Sequence, residues 1–205
     1  IGRGAVEPGA RGADLLGFRP AGGRLAELVV APGTAPAQVL QAQVLARKLG
    51  LAVLRCGVPG GVVARIVAAG RAAVAHLVMQ GEPEAAVAAA LAGFGLPQLA
   101  PEGAVAAGPP GRQVVPRVLS AMANEGARLL GHRLVESPDE IDFAMVAAQA
   151  FPRWEGGPMF WADRRGVMIL RRDLEQWAEE APEIWGMAPV LAGLAGKGAR
   201  FASLG

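Results

Sequence analysis

Apolar positions along the chain follow two patterns. Leu15 to Phe18 and Leu25 to Val30 are short apolar runs bounded by glycine and proline, and Leu51 to Cys56 is a third; such runs predict strands. Between the second and third, Val39, Leu40, Val44, Leu45 and Leu49 recur at helical spacing over Ala37 to Leu49, and Gly50 stops that helix. The order strand, helix, strand predicts a parallel crossover, a fragment of α/β structure. Residues 1–14 are rich in glycine and alanine with scattered charge and show no period, so no function is assigned to them.

From Gly60 onward the period becomes helical. Val62 to Met79 predicts a long apolar helix and Glu84 to Ala92 a second, with Gly81 and Pro83 between them. A Pro, Gly and Ala stretch, Ala100 to Gly111, reads as a linker. The chain beyond this linker repeats the helical segment before it: Arg65 aligns with Arg117 at an offset of 52, and Pro83 and Pro97 align with Pro138 and Pro152 at an offset of 55. Each copy has a long apolar helix, a proline-led acidic helix start, then an aromatic residue and a proline. Leu191, Leu194 and Phe201, with Lys197 and Arg200 between them, predict a terminal helix docked by its apolar side. The division expected is 1–57, 58–99, a linker at 100–111, and 112–205.

Composition narrows the class. Slightly over half of the 205 residues are apolar, 52%, enough for a real core, and the net charge is only +2. That balance excludes an electrostatic nucleic-acid partner, and no membrane span is expected. Arginine outnumbers lysine, which suits an anionic ligand without demanding one. The single cysteine, Cys56, excludes an internal disulfide and leaves no metal site; a reducing, cytoplasmic setting is the expectation. The first residues lack the apolar stretch of a signal peptide, and the missing initiator Met suggests a truncated or processed chain.

Phe151-Pro-Arg-Trp-Glu-Gly-Gly-Pro-Met-Phe-Trp-Ala-Asp163, followed by Gly166, resembles the closing motif of multifunctional fatty-acid β-oxidation enzymes, the part formed by 3-hydroxyacyl-CoA dehydrogenase. Arg117 to Glu125 and Glu140-Ile141-Asp142 are similar to that family's Asn-Glu helix and acidic helix start. Val58-Pro59-Gly60 resembles its turn into the first helical repeat, Phe94-Gly95-Leu96-Pro97 the end of that repeat, and Leu25 to Val30 the strand carrying its catalytic glutamate. The resemblance implies a mainly α fold: a residual α/β segment, the end of a nucleotide-binding, Rossmann-like domain, followed by two repeated helical dehydrogenase C-terminal units.

In the family a histidine deprotonates the 3-hydroxyl of a 3-hydroxyacyl-CoA while hydride passes to NAD, and a glutamate orients the histidine. The resemblance makes Glu27 the catalytic position here. Leu16 stands where the histidine is expected and Ala64 where an asparagine is, and no Gly-x-Gly-x-x-Gly follows a strand. NAD is thus the family's cofactor, with no cofactor-binding residue and none expected to bind this chain alone. Gly60, Arg65, Asn124, Glu125, Gly156, Gly157 and Pro158 are the candidate substrate-binding or interface residues. An acyl-CoA substrate is implied, and either a homodimer or docking against an N-terminal nucleotide-binding domain.

Each candidate has a plainer reading. Glu27 could face solvent on a strand edge, and Asn124 and Glu125 could brace the neighbouring repeat. Gly156 to Pro158 beside Trp154, Phe160 and Trp161 could line an acyl chain or permit close packing, with packing favoured. His76 and His132 read as structural or surface residues. The arginines at 164, 165, 171 and 172 alternate with acids, as on a solvated ion-paired face. A catalytically inactive scaffold or acyl-CoA binding subunit is the alternative to an active dehydrogenase.

Overall fold

The computed structural model describes residues 16–31 and 33–204. Strands β1 (Leu16–Gly22) and β2 (Leu25–Val30) form an antiparallel hairpin, and β3 (Ala52–Cys56) joins β2 in parallel through helix α1 (Pro36–Lys48). The crossover is therefore as read from the apolar runs; residues 1–15 lie outside the described residues. In the order β1-β2-β3, strand β2 is central and covered on both faces, so Leu25, Ala26, Glu27 and Leu28 are all at most 1% exposed. The hairpin tip abuts the helical part: a Cβ on Gly22 would lie 2.8 Å from the Ala148 carbonyl oxygen, and the Arg24 N–H donates to Ala147 at 3.3 Å. Helix α1 is where its spacing puts it. Val39 and Ala46 are buried, whereas Leu40, Val44, Leu45 and Leu49 are 43–61% exposed.

Helices α2 (Val62–Met79), α3 (Glu84–Phe94), α4 (Val114–Gly131) and α5 (Pro138–Ala147) come next, with the stretch from Pro101 to Gly111 irregular. Helices α2 and α4 are both 18 residues long and begin 52 residues apart. They pair antiparallel, since Arg65 near the start of α2 meets Glu125 late in α4, and His76 late in α2 meets the group around Arg117 early in α4. Midway, Gly70 lets the helices close: a Cβ there would sit 3.1 Å from the Met122 sulfur and 3.2 Å from Leu99. Helix α2 is also long and apolar enough in composition to cross a membrane, but Val62, Ile66, Ala73, Val74 and Leu77 are packed into the protein interior.

The chain closes with α6 (Pro158–Arg165), α7 (Val167–Ala178), the single turn α8 (Pro182–Trp185) and α9 (Pro189–Lys197). The terminal helix foreseen from Leu191 to Phe201 is two elements: Gly198 ends α9 in a left-handed conformation, and Phe201–Leu204 forms a separate 3-10 turn. Leu191 and Phe201 are both fully buried. One continuous apolar cluster runs from Leu25 in the sheet to Phe201, so sheet and helices share a core. The protein is mainly helical with a small α/β segment.

Candidate functional site

Glu27 is fully buried in the central strand, not on an edge facing solvent. Its cross-strand partner is Arg19, and its side chain reaches over to the start of α2, where Oε1 accepts the Val63 N–H at 2.9 Å. Helix α2 needs this because Gly61, its N-cap, has no side chain to offer. Gly61 is also required for it: with φ at 88°, a Cβ there would strike Glu27 Oε2. That oxygen is buried and has no hydrogen-bond partner among the described residues. Burial pushes the Glu27 carboxyl above the usual carboxylate range, against the pull of the Val63 and Val62 N–H groups and the Arg19 charge. The Cys56 thiol at the end of β3 is likewise pushed up by burial, with the Glu27 charge adding to it. Gly60 is exposed, and Arg19 Nη1 lies 3.7 Å from where a Cβ of Gly60 would be.

Arg65 turns the other way. Its guanidinium donates to Glu125, whose second oxygen accepts from Arg128 at 3.3 Å. Arg65, Ala68, Ala72, Glu125, Arg128 and Ile184 line a cleft of about 330 Å³. Asn124, beside them, is fully committed to α8's far end: its Nδ2 donates to the Gly186 carbonyl at 2.9 Å and its Oδ1 accepts the Ala188 N–H at 2.9 Å. The structure thus gives Asn124 the bracing position and puts Glu125 between two arginines on a cleft.

Gly156, Gly157 and Pro158 start α6 in a third place. Both glycines hold positive φ, 79° and 126°. The Asp142 carboxylate from α5 caps this helix, accepting the Met159 and Phe160 N–H groups at 2.8 Å each, and a Cβ on Gly157 would strike it. Burial raises the Asp142 pKa to about 7, opposed by those two hydrogen bonds. Trp154 is 75% exposed and packs its ring edge over Gly95, where a Cβ would be 2.9 Å away; Phe160 is half-exposed. The arginines beyond are ion-paired: Arg164 with Glu155, Arg171 with Glu175, and Arg165 and Arg172 with buried Asp173.

A cluster that the sequence did not foretell joins α2, α4 and α7. His76 is 6% exposed, stands edge-on to Trp185 at 5.1 Å, and has Nε2 at 3.8 Å from Glu180 Oε2. Arg117 grips Glu180 with both Nη atoms, at 2.6 and 2.8 Å, while its guanidinium lies over Trp177 and Trp185. These hydrogen bonds hold the Glu180 carboxyl below its ordinary range. The available signal was Arg117 and the tryptophans at residues 177 and 185. His132 is exposed.

Among the described residues the groups needed for dehydrogenation do not converge. Neither histidine reaches Glu27: His76 faces Glu180, and His132 is on the surface. The Leu16 side chain lies outside the described residues, but leucine carries no titratable proton. The β2–α1–β3 crossover does not fit the diphosphate of NAD either. Its loop has a single glycine, Gly33, and α1 opens on Pro36 with Ala35 as N-cap, so the first turn has neither the glycine cradle nor a full set of N–H donors.

No family model matches the chain. Curated relatives do: the "Peroxisomal bifunctional enzyme" of Danio rerio is 33% identical over 78 residues, 38% of this chain, and the Homo sapiens enzyme of the same name 32% over 77 residues. Cucumis sativus "Glyoxysomal fatty acid beta-oxidation multifunctional protein MFP-a" is 29% identical over 96 residues, 47% of the chain. Over these residues the chain is similar to part of these multifunctional enzymes. The matches span only 11 to 13% of the relatives' own length. Their names overturn the cytoplasmic expectation, since they are peroxisomal or glyoxysomal. A lone thiol reports the absence of disulfides, and the cytoplasm is not the only compartment that permits that.

Proposed function

We propose that this chain acts in fatty-acid β-oxidation as the C-terminal, substrate-side part of a 3-hydroxyacyl-CoA dehydrogenase-like protein, and that in this copy it binds rather than reacts. The names of its relatives and the motifs from Phe151 to Asp163 support the first half. That neither histidine reaches Glu27 carries the second. Oxidising a 3-hydroxyl to a ketone needs a base at hydrogen-bond reach of the hydroxyl proton. Glu27 spends one oxygen on Val63, has the other covered by Gly61 and meets no histidine, so it positions a helix and has no base to orient.

What remains is binding chemistry. Arg65 and Arg128 border the 330 Å³ cleft, both paired with Glu125 and beside Glu183, so a CoA phosphate binds there by taking the place of Glu125 on the guanidinium groups. The outward apolar side of α1 supports docking against a nucleotide-binding domain, where Leu40, Val44, Leu45 and Leu49 would be covered. Calorimetric titration with acetoacetyl-CoA and with NADH, beside a dehydrogenase assay, tests the reading. Acetoacetyl-CoA is expected to bind without turnover, and Arg128→Gln to weaken it by about tenfold. Turnover by the chain would overturn the binding role, and failure of acetoacetyl-CoA to bind would overturn the substrate-side assignment.

A further inference from the structure

We infer that the cleft between α2 and the 3-10 turn Pro97–Leu99 is a second binding site, for a ligand with an aliphatic body and a single anionic head. It goes beyond the function proposed above and stands without it. The cleft has a volume of about 650 Å³, inside the range of roughly 300–1,000 Å³ typical of small-molecule sites. Its walls are aliphatic, with Val74, Val78, Leu99 and Pro101 and no aromatic ring, so they suit a flexible chain better than a planar one. Of the four arginines on the α2–α4 pair, Arg65, Arg117 and Arg128 hold carboxylates. Arg71 is the fourth. It is exposed on this cleft and has no carboxylate or ring partner among the described residues. A guanidinium left unpaired beside an apolar floor is a ready fork for a carboxylate or phosphate.

Glu102 borders the same cleft and gives the inference a sign. An anionic head is attracted by Arg71 and repelled by Glu102, whereas a cationic or zwitterionic head would need Glu102. The test is calorimetry with decanoate, decyl phosphate and decanol below their aggregation limits. Both anions are expected to bind, with decanol weaker by about tenfold. Shortening decanoate should cost about fourfold in affinity per methylene. Whichever anion binds tighter identifies the head group. Arg71→Gln should remove the preference over decanol, Glu102→Gln should tighten decanoate severalfold, and Ala75→Trp, an exposed position on the cleft, should block it. Equal affinity for decanol, weaker binding in Glu102→Gln, or undiminished binding in Ala75→Trp would each overturn the site. Acetoacetyl-CoA binding retained by Ala75→Trp would separate this cleft from the one at Arg65.

Discussion

At α2 a carboxylate from the sheet, Glu27, reaches the first backbone N–H groups just past Gly60 and Gly61; at α6 a carboxylate from α5, Asp142, does the same past Gly156 and Gly157. In both places the cap comes from outside the helix, and the glycine before the first turn leaves room for it. The difference lies in how fully each carboxylate is used. Asp142 has both oxygens on N–H donors, 17 and 18 residues away. Glu27 has one oxygen so placed, 36 residues away, and one buried without a partner. Glu27 thus clamps the sheet to α2 through a single oxygen, where Asp142 holds α6 through two.

The comparison breaks most visibly at the glycines. Gly61→Ala and Gly157→Ala combine positive φ with a direct strike on the capping carboxylate, so each is expected to cost about 3 kcal/mol or more in urea unfolding. A cost under about 1 kcal/mol at either would show that the carboxylate is free to move aside, and the equivalence would fail. A smaller effect separates the two acids by pH. The Asp142 pKa is raised from 3.8 to about 7 in the fold, so its protonated form is favoured there. That stabilisation is complete below pH 3.8 and is lost as pH rises through about 7, a loss on the order of 2 to 4 kcal/mol from this group by pH 8. Asp142→Asn should flatten that slope in chemical denaturation followed across pH. Smallest is Glu27→Gln, which keeps an oxygen for Val63 and removes a buried charge while leaving an amide without an acceptor. Its stability at pH 7 should lie within about 1 kcal/mol of the parent, and a loss above 3 would show that the Glu27 charge itself holds the sheet to α2.

The long helices were legible because apolar residues recur over 18 positions and repeat 52 residues on. The same pattern located α1 but did not give its packing: Leu40, Val44, Leu45 and Leu49 mark a helix and face outward, since periodicity shows that a face is apolar and not what covers it. Glu27 was misplaced for a related reason. In Leu25-Ala-Glu-Leu28 the strand is buried on both sides, so alternation carries no inside and outside. The caps at Gly61 and Gly157 escaped notice because no local residue supplies them; the doubled glycines were their only trace. The His76, Arg117 and Glu180 group depends on how α2, α4 and the turn after α7 meet, which spacing within any one of them does not encode.

Gly70 and Met122, which touch across the α2–α4 pair, are also separated by the 52 residues that relate the two helices. They lie where the antiparallel pair brings two positions 52 residues apart face to face. In a symmetric dimer that position is one residue facing itself, so two glycines would leave a void and two methionines would collide. With both helices in one chain that constraint is absent. Each side of the seam can then change alone, and a small residue opposite a large one becomes a fit that identical subunits could not reach.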